Sequence, residues 1–169
     1  MAEGLLRQRA VDRGVDATVH SAGLMEDGHS ATADGVDTMA VRGIDTSGHL
    51  SRRVTAEMLA GADVVVGMAR DHVREAVLLA PECWSRAFTL KELVRRGEDA
   101  GPRSHDQPLS EWLDKIHAGR SRSDLLGSSP DDDVADPIGQ RRAVYERTAN
   151  ELDELTRRLA ALLWGPVVG

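Results

Sequence analysis

The chain has 169 residues, of which 41% are hydrophobic and 29% are charged, and its formal net charge is −7. This length suffices for one domain with a buried core, and the acidic balance disfavours non-specific attraction to the phosphates of nucleic acids. No stretch is apolar enough for a membrane span or a signal peptide. We therefore expect a soluble, cytoplasmic protein that binds neither nucleic acid nor membrane.

The cysteine and histidine content argues against disulfide and metal chemistry. Cys83 is the only cysteine, which excludes an intramolecular disulfide and a cysteine-rich metal site. The six histidines show no H-E-x-x-H motif or comparable ligand spacing. The sequence therefore predicts neither a metal nor another cofactor.

Helix and strand patterns alternate along the first part of the chain. Residues 2–13 are good helix formers that end at Gly14, a suitable C-cap, and residues 15–20 alternate apolar and polar side chains as a short strand does. Residues 31–41 predict a helix that ends at Gly43. Its predicted apolar face consists of Ala33, Val36, Met39 and Ala40.

The clearest strand pattern comes next, at residues 63–68. Its run of valines is typical of a strand buried on both faces, as in a parallel sheet. Thr55 marks the start of a short helix before it, and residues 70–79 predict a helix that Pro81 stops. Residues 84–90 predict a further strand, followed by a helical turn.

The composition changes in the last part of the chain. Residues 97–133 are richer in Gly, Ser, Pro and charge, which we interpret as a loop-rich insertion within a single domain that spans residues 1–169. Residues 109–117 predict one helix inside this insertion, and residues 140–164 predict a long amphipathic helix. Strands that alternate with helices predict an α/β domain with a parallel sheet.

Several short motifs follow one another in an order that is typical of one known family. They are Met1-Ala2-Glu3-Gly4, His20-Ser21-Ala22-Gly23, Gly43-Ile44-Asp45, His49-Leu50-Ser51-Arg52, residues 62–68 with His72, residues 88–93, and Asp136-Pro137. On this series, which extends from residue 1 to about residue 160, the chain resembles the low-molecular-weight protein-tyrosine-phosphatase family, whose fold is shared with some arsenate reductases. The resemblance implies a three-layer, doubly wound α/β domain around a parallel sheet.

The resemblance also implies that a catalytic loop is missing. In that family a C-x5-R loop lies between the first strand and the first helix, and it supplies a cysteine nucleophile and a phosphate-binding arginine. The Met-Ala-Glu tract follows that loop, and here it is residues 1–3. We therefore expect an N-terminally truncated sequence that lacks its first strand. Cys83 is no substitute, because the same spacing reaches Thr89 instead of arginine.

The resemblance assigns roles to three residues of this sequence. Asp136, held extended before Pro137, matches the general acid that protonates the leaving oxygen. Ser21 and His49 match residues that support the phosphate loop through hydrogen bonds. Without the resemblance, each of the three is more simply a turn or loop residue. Ile138 follows Asp-Pro, where family members with tyrosine specificity often have an aromatic residue, and this departure weakens the case for phosphotyrosine.

Three hypotheses of function follow from these observations. The first is a metal-free phosphomonoester hydrolase, a protein-tyrosine phosphatase that acts through a phosphocysteine on a phosphorylated protein or a small phosphomonoester, and that is inactive without the missing loop. The second is a non-catalytic relative that serves as a binding or regulatory module. The third, a thiol-dependent arsenate reductase, ranks last because its thioredoxin-coupled form needs further cysteines.

Overall fold

The structure is a computed structural model that describes residues 1–24 and 26–166. In this part of the chain the α-helices are α1 (Ala2–Val11), α2 (Ala33–Ala40), α3 (Ala56–Ala60), α4 (Arg70–Leu79), α5 (Leu90–Ala100), α6 (Leu109–His117) and α7 (Arg142–Trp164). The strands are β1 (Val65–Gly67) and β2 (Ala87–Thr89), and 3-10 helices cover Pro81–Arg86 and Arg122–Leu125. None of the helices in the described residues is long and apolar enough to cross a membrane.

The two strands form a parallel sheet. Val65 lies opposite Ala87, Val66 opposite Phe88 and Gly67 opposite Thr89. Parallel strands need a crossover connection, and α4 with the following 3-10 helix provides it. The predicted α/β class with a parallel sheet is therefore confirmed.

The strand predicted at residues 15–20 is wrong. This segment forms no ladder with another strand in the part of the chain that the structure describes. A strand is defined by the partner that satisfies its backbone N–H and C=O groups, and an alternating pattern of side chains does not supply one. The described sheet consequently has two strands.

The helix predictions are confirmed for α1, α3, α4, α6 and α7, within about two residues at each end. The side chain of Thr55 caps α3, as its position predicts, by accepting the backbone N–H of Met58 at 3.3 Å. The predicted apolar face of α2 is confirmed in part: Met39 is buried and Val36 half-buried, but Ala33 and Ala40 are exposed. Gly35 and Thr38 are buried in their place. A Cβ atom at Gly35 would lie 3.0 Å from Thr32 Oγ1, closer than an ordinary contact, so the close approach at the start of α2 favours glycine.

The segment 97–133 is more regular than its composition predicts. Residues 97–100 belong to α5, and residues 122–125 form a 3-10 helix that buries Leu125. A Cβ atom at Gly97 would lie 2.9 Å from Leu162 Cδ1 and 3.0 Å from Trp112 Cζ2. Gly97 therefore permits close packing inside a helix, and in this position it does not indicate a loop.

The chain divides into two compact units. The first comprises Met1–Arg53 and Ala135–Ala160, with Pro166–Gly169, and the second comprises Val54–Val134 and Ala161–Gly165. The first unit contains α1, α2 and most of α7, while the second contains the sheet and the helices from α3 to α6. The prediction of one domain over residues 1–169 stays a prediction.

A buried ion pair lies in the core of the second unit. Arg120, whose side chain is 1% exposed, donates from Nε to Glu92 Oε1 at 2.7 Å and from Nη2 to Glu92 Oε2 at 3.0 Å. Its guanidinium lies 4.1 Å from the ring centre of Trp84 and 4.0 Å from that of Phe88. Burial lowers the pKa of Arg120, and the Glu92 carboxylate opposes this effect. The contacts with the two rings and the carboxylate offset the cost of removing the Arg120 guanidinium from water.

Replacing Arg120 tests the contribution of this ion pair. Arg120→Met keeps much of the side-chain volume but leaves Glu92 buried with Arg96 as its remaining arginine partner. We expect the free energy of unfolding, measured by urea denaturation, to fall by about 3 kcal/mol. The control is Arg157→Met, which removes a solvent-exposed pair with Glu154 and should leave the free energy of unfolding nearly unchanged. Equal losses in the two variants would contradict this account.

Candidate functional site

Glu3, in the first turn of α1, is the centre of a polar cluster in the first unit. It accepts the backbone N–H of Ser21 at 3.1 Å and also the Ser21 hydroxyl. His49 Nδ1 lies 3.8 Å from the same carboxylate oxygen, and Arg7 pairs with the other oxygen. The carboxylate therefore joins residues that are 18 and 46 positions apart in the sequence.

The electrostatics of Glu3 favour its ionised form. Its side chain is 12% exposed, and burial alone would raise its pKa. The hydrogen bonds from Ser21 and Arg7, together with the charges of Arg7 and His49, outweigh this effect and lower the pKa of Glu3 below its ordinary value. The cluster is thus organised around a carboxylate that stays charged at neutral pH.

The structure brings together two of the three predicted site residues. Ser21 and His49 meet through Glu3, which sequence reasoning did not include among the site residues. The signal that could have identified Glu3 is an acidic side chain in the first turn of a helix, within a tract that the resemblance already matched. A carboxylate in that turn is stabilised by the helix dipole and can still accept hydrogen bonds from neighbouring segments.

A folded loop lies directly beside this cluster. The Ser51 hydroxyl donates to Glu26 O at 2.8 Å and accepts the backbone N–H of His29 at 3.0 Å. The backbone N–H of Gly28 donates to Ser51 O at 2.9 Å, and that of Ser51 donates to His29 O at 2.8 Å. These bonds hold residues 26–30 against the segment that follows His49, so the surroundings of the cluster are defined by hydrogen bonds.

Asp136 lies in a turn of its own within the same unit. Its Oδ1 accepts the backbone N–H of Ile138 at 2.9 Å, while Pro137 is buried and Asp136 is exposed. The carbonyl of Ala135 accepts the hydroxyl of Thr148, on α7, at 3.2 Å. Among the described residues, Asp136 makes no hydrogen bond to Ser21, His49 or Glu3. The Asp136 carboxyl group is therefore exposed to solvent, and its hydrogen bond within the turn fixes its position.

The acidic run that precedes this turn has a structural role in the second unit. Asp132 Oδ2 accepts Nε and Nη2 of Arg70 at 2.8 and 2.7 Å, and Oδ1 accepts Nη2 of Arg95 at 2.9 Å. Asp133 accepts the backbone N–H of Arg70 at 2.8 Å, at the first residue of α4. The loop that leads to the Asp-Pro turn is therefore attached to α4 and α5.

Asp132 resembles Glu3 in its electrostatics. Burial would raise the pKa of Asp132, but hydrogen bonds from Arg95 and Arg70 and the charges of both arginines lower it below its ordinary value. A carboxylate held by two guanidinium groups in this way is a fixed anion, which does not release or accept a proton near neutral pH. Asp132 is thus an anchor, and it is not a candidate acid.

Cys83 has the surroundings of a structural cysteine. It is fully buried, in the 3-10 helix that precedes β2. Burial raises the pKa of its thiol despite the nearby charge of Arg86. A catalytic thiolate needs a lowered pKa and access to substrate, and Cys83 has neither. No group of three His, Cys, Asp or Glu side chains that could hold a metal ion occurs in the part of the chain that the structure describes.

Known proteins match both the sequence and this fold. The low molecular weight protein-tyrosine-phosphatase Etp of Escherichia coli (strain K12) is 30% identical over 114 residues, which are 67% of this chain and 74% of Etp. The protein-arginine-phosphatase of Bacillus subtilis (strain 168) is 28% identical over 164 residues, 96% of this chain and 87% of that protein. A solved low molecular weight protein tyrosine phosphatase from T. tengcongensis has a TM-score of 0.69 and 30% identity, and it covers 94% of this chain and 86% of its own.

The parallel α/β fold and these matches define a phosphatase-fold protein. The model of the family described as low molecular weight phosphotyrosine protein phosphatase matches residues 1–110. The chain belongs to this family, as the collinear motifs predicted.

Replacing Glu3 tests the carboxylate at the centre of the cluster. Because its folded pKa is depressed, ionised Glu3 stabilises the fold above about pH 4.3, and this contribution is lost as the pH falls through the folded pKa. We expect Glu3→Gln to lower the free energy of unfolding by about 2 kcal/mol at pH 7 and by less at pH 3.5, measured by urea denaturation. Glu75→Gln, at an exposed position of α4, is the control. If Glu3→Gln lowers the free energy of unfolding by the same amount at both pH values, ionised Glu3 is not the stabilising form.

Replacing Asp132 tests the anchor of the acidic run. Asp132→Asn keeps the size of the side chain but leaves the partly buried Arg70 and the exposed Arg95 without their carboxylate. We expect the free energy of unfolding to fall by about 2 kcal/mol, and the salt dependence of stability to change. Asp131→Asn, at the exposed neighbouring position, should be nearly neutral in the same urea titration. If neither variant changes the free energy of unfolding, the contacts of Asp132 with the two arginines do not stabilise the fold.

Proposed function

We propose that this chain carries the general acid and the loop-supporting residues of a phosphatase site that removes phosphate from a protein side chain through a cysteine thiolate. The observation that carries the proposal is the convergence of Ser21 and His49 on the ionised carboxylate of Glu3. Family membership supports the same roles. In this proposal Ser21 and His49 hold the phosphate loop in shape, and Asp136 protonates the leaving group.

The chemistry proposed is a double displacement without a metal. The thiolate attacks phosphorus, and the bond between phosphorus and the leaving atom of the substrate breaks. The proton of Asp136 passes to that leaving atom, and the phosphate remains on sulfur. Water then attacks the phosphocysteine, Asp136 takes a proton from this water, and the thiolate and inorganic phosphate are released. The exposed position of Asp136 in a closed turn is compatible with this role.

We further propose that Cys83 is not this thiolate and that the 169-residue chain is inactive by itself. Its burial and its raised pKa support this, as does Thr89 at the position where the family motif has arginine. The truncation hypothesis predicts an apolar strand and a C-x5-R loop in the same reading frame upstream of Met1. An in-frame stop codon directly upstream would overturn the truncation hypothesis and favour the alternative function, a non-catalytic binding or regulatory module. Thiol-dependent arsenate reduction ranks below both, because Cys83 is the only cysteine.

Phosphoarginine is a second candidate substrate beside phosphotyrosine. The protein-arginine-phosphatase of Bacillus subtilis aligns with 96% of this chain. Ile138, which follows the Asp-Pro pair, is 69% exposed, and Tyr145, the only aromatic residue of the first unit in the described residues, is buried. A site with aliphatic side chains at its rim offers no aromatic ring on which a tyrosyl ring could stack, and this favours a substrate with an aliphatic stem.

A hydrolysis assay tests the proposed function. We expect the 169-residue chain to release no phosphate above buffer from an aryl phosphate or from a phosphoarginine peptide. If the reading frame encodes a C-x5-R loop, the extended chain should hydrolyse at least one of them. In that chain Asp136→Asn should lower kcat by about 10²–10⁴-fold, because general acid catalysis contributes that much.

Cys83→Ala is the matched control, and it should leave the rate of the extended chain unchanged. Turnover by the 169-residue chain that survives Cys83→Ala and disappears in Asp136→Asn would show that the nucleophile is a different residue of this chain. Loss of activity in Cys83→Ala with retained folding would assign the nucleophile to Cys83 and contradict the proposal.

A further inference from the structure

Helix α4 begins without a cap of its own. Ala69 occupies its N-cap position, and this side chain has no oxygen that could accept a hydrogen bond from the first turn. Asp133 supplies the acceptor from a segment 63 residues beyond Arg70: its Oδ1 accepts the backbone N–H of Arg70 at 2.8 Å. A carboxylate at this end of a helix is also stabilised by the helix dipole. Asp133 therefore acts as the cap of α4.

The same aspartate closes the loop to which it belongs. Its Oδ2 accepts the backbone N–H of Ser129 at 2.8 Å, and its own backbone N–H donates to Ser129 O at 2.7 Å. The next residue, Val134, is buried and donates its backbone N–H to Met68 O at 2.8 Å. Two consecutive residues, Asp133 and Val134, thus attach the loop to the segment that connects β1 to α4.

These attachments end close to Asp136. Only Ala135 separates Val134 from the acid, and two residues of extended chain span at most about 7 Å. Asp132 holds the loop through the side chains of Arg70 and Arg95, which are long and have many rotamers. Asp133 instead bonds only to backbone N–H groups, whose positions the helix and the loop fix. Of the two aspartates, Asp133 therefore places the tighter restraint on the chain that leads to Asp136.

We propose that Asp133 is a positioning residue for the general acid: it fixes the point from which the chain enters the Asp-Pro turn, and thereby places the Asp136 carboxyl group. This inference rests on the proposed function of Asp136. A general acid must lie within hydrogen-bond reach of the leaving atom, and a displacement of about 1 Å can cost about 100-fold in rate. Asp133 has no catalytic contact of its own, because each of its oxygens accepts a backbone N–H.

Backbone dynamics test the proposal in the 169-residue chain without any activity. Asp133→Asn keeps one oxygen acceptor but replaces the other with an amide donor, so one of the two bonds is lost. We expect the ¹⁵N order parameter of the Ile138 amide, which donates to Asp136, to fall from about 0.85 to about 0.6. Asp131→Asn, at an exposed position of the same run, is the control and should leave it unchanged. An unchanged order parameter in folded Asp133→Asn would overturn the proposal.

A second substitution separates the placement of Asp136 from the stability of α4. Ala69 has the extended backbone of an N-cap residue, so Ala69→Ser gives α4 a capping oxygen of its own. Added to Asp133→Asn, it should recover the urea midpoint that Asp133→Asn lowers, while the Ile138 order parameter stays low. If Ala69→Ser restores both quantities, Asp133 acts only by stabilising α4, and the proposal is wrong.

Kinetics of a chain extended by an upstream C-x5-R loop test the link to catalysis. With whichever phosphorylated substrate that chain hydrolyses, Asp133→Asn should lower kcat about tenfold and leave KM within about twofold, because the misplaced acid affects the transition state alone. In the Asp136→Asn background the same substitution should change kcat less than about twofold. Equal losses in both backgrounds would overturn the positioning role. An Asp136→Asn variant with unchanged kcat would instead contradict the proposed function, so the two can fail separately.

Discussion

The arrangement of the first unit depends on one partly buried carboxylate, that of Glu3. A charged group that is largely removed from water must be matched by donors, and here the donors come from Arg7, from the backbone and hydroxyl of Ser21, and from His49 at a longer distance. Satisfying this anion brings the start of α1 together with two loops that are distant in sequence. The candidate site is therefore a consequence of the same requirement that stabilises the unit.

Arginine has a corresponding role in the second unit. Only 3% of the residues are aromatic, so large rings fill little of the interior. Arg120 is packed between two of these rings, Arg70 and Arg95 hold Asp132, and Arg86 donates to the carbonyls of Leu59, Ala60 and Ala62. A guanidinium group presents five donors on a long apolar stem, and it can satisfy several buried acceptors at once.

The sequence predicted those elements whose formation depends on local signals. Three signals affect only the residues next to them in sequence: the valine run at residues 63–68, Pro81 after α4 and the cap at Thr55. The structure contains the strand and the two helices that they predict. The failures have a non-local cause. Residues 15–20 have the pattern of a strand without a partner, and Gly97 is selected by Leu162 and Trp112 on other helices.

The site was predicted in part for the same reason. Ser21 and His49 were found through motifs that the family model also covers, whereas Glu3 is defined by donors that only the folded chain brings to it. The acidic run presented the opposite difficulty. Asp132 and Asp136 belong to one series of aspartates, yet two arginines bury the first and a turn exposes the second. Composition cannot separate two such carboxylates, because the difference lies in their neighbours.

The aromatic residues are distributed so that each unit has its own optical signal. All three tryptophans, Trp84, Trp112 and Trp164, lie in the second unit, and the only tyrosine, Tyr145, lies in the first. Trp84 is also in contact with the guanidinium of Arg120 and the ring of His117, so its emission depends on an intact core. Tryptophan fluorescence, excited at wavelengths that tyrosine does not absorb, therefore follows the second unit. Its change on unfolding reports loss of the sheet without any added label, and it does not report on the unit that contains Glu3.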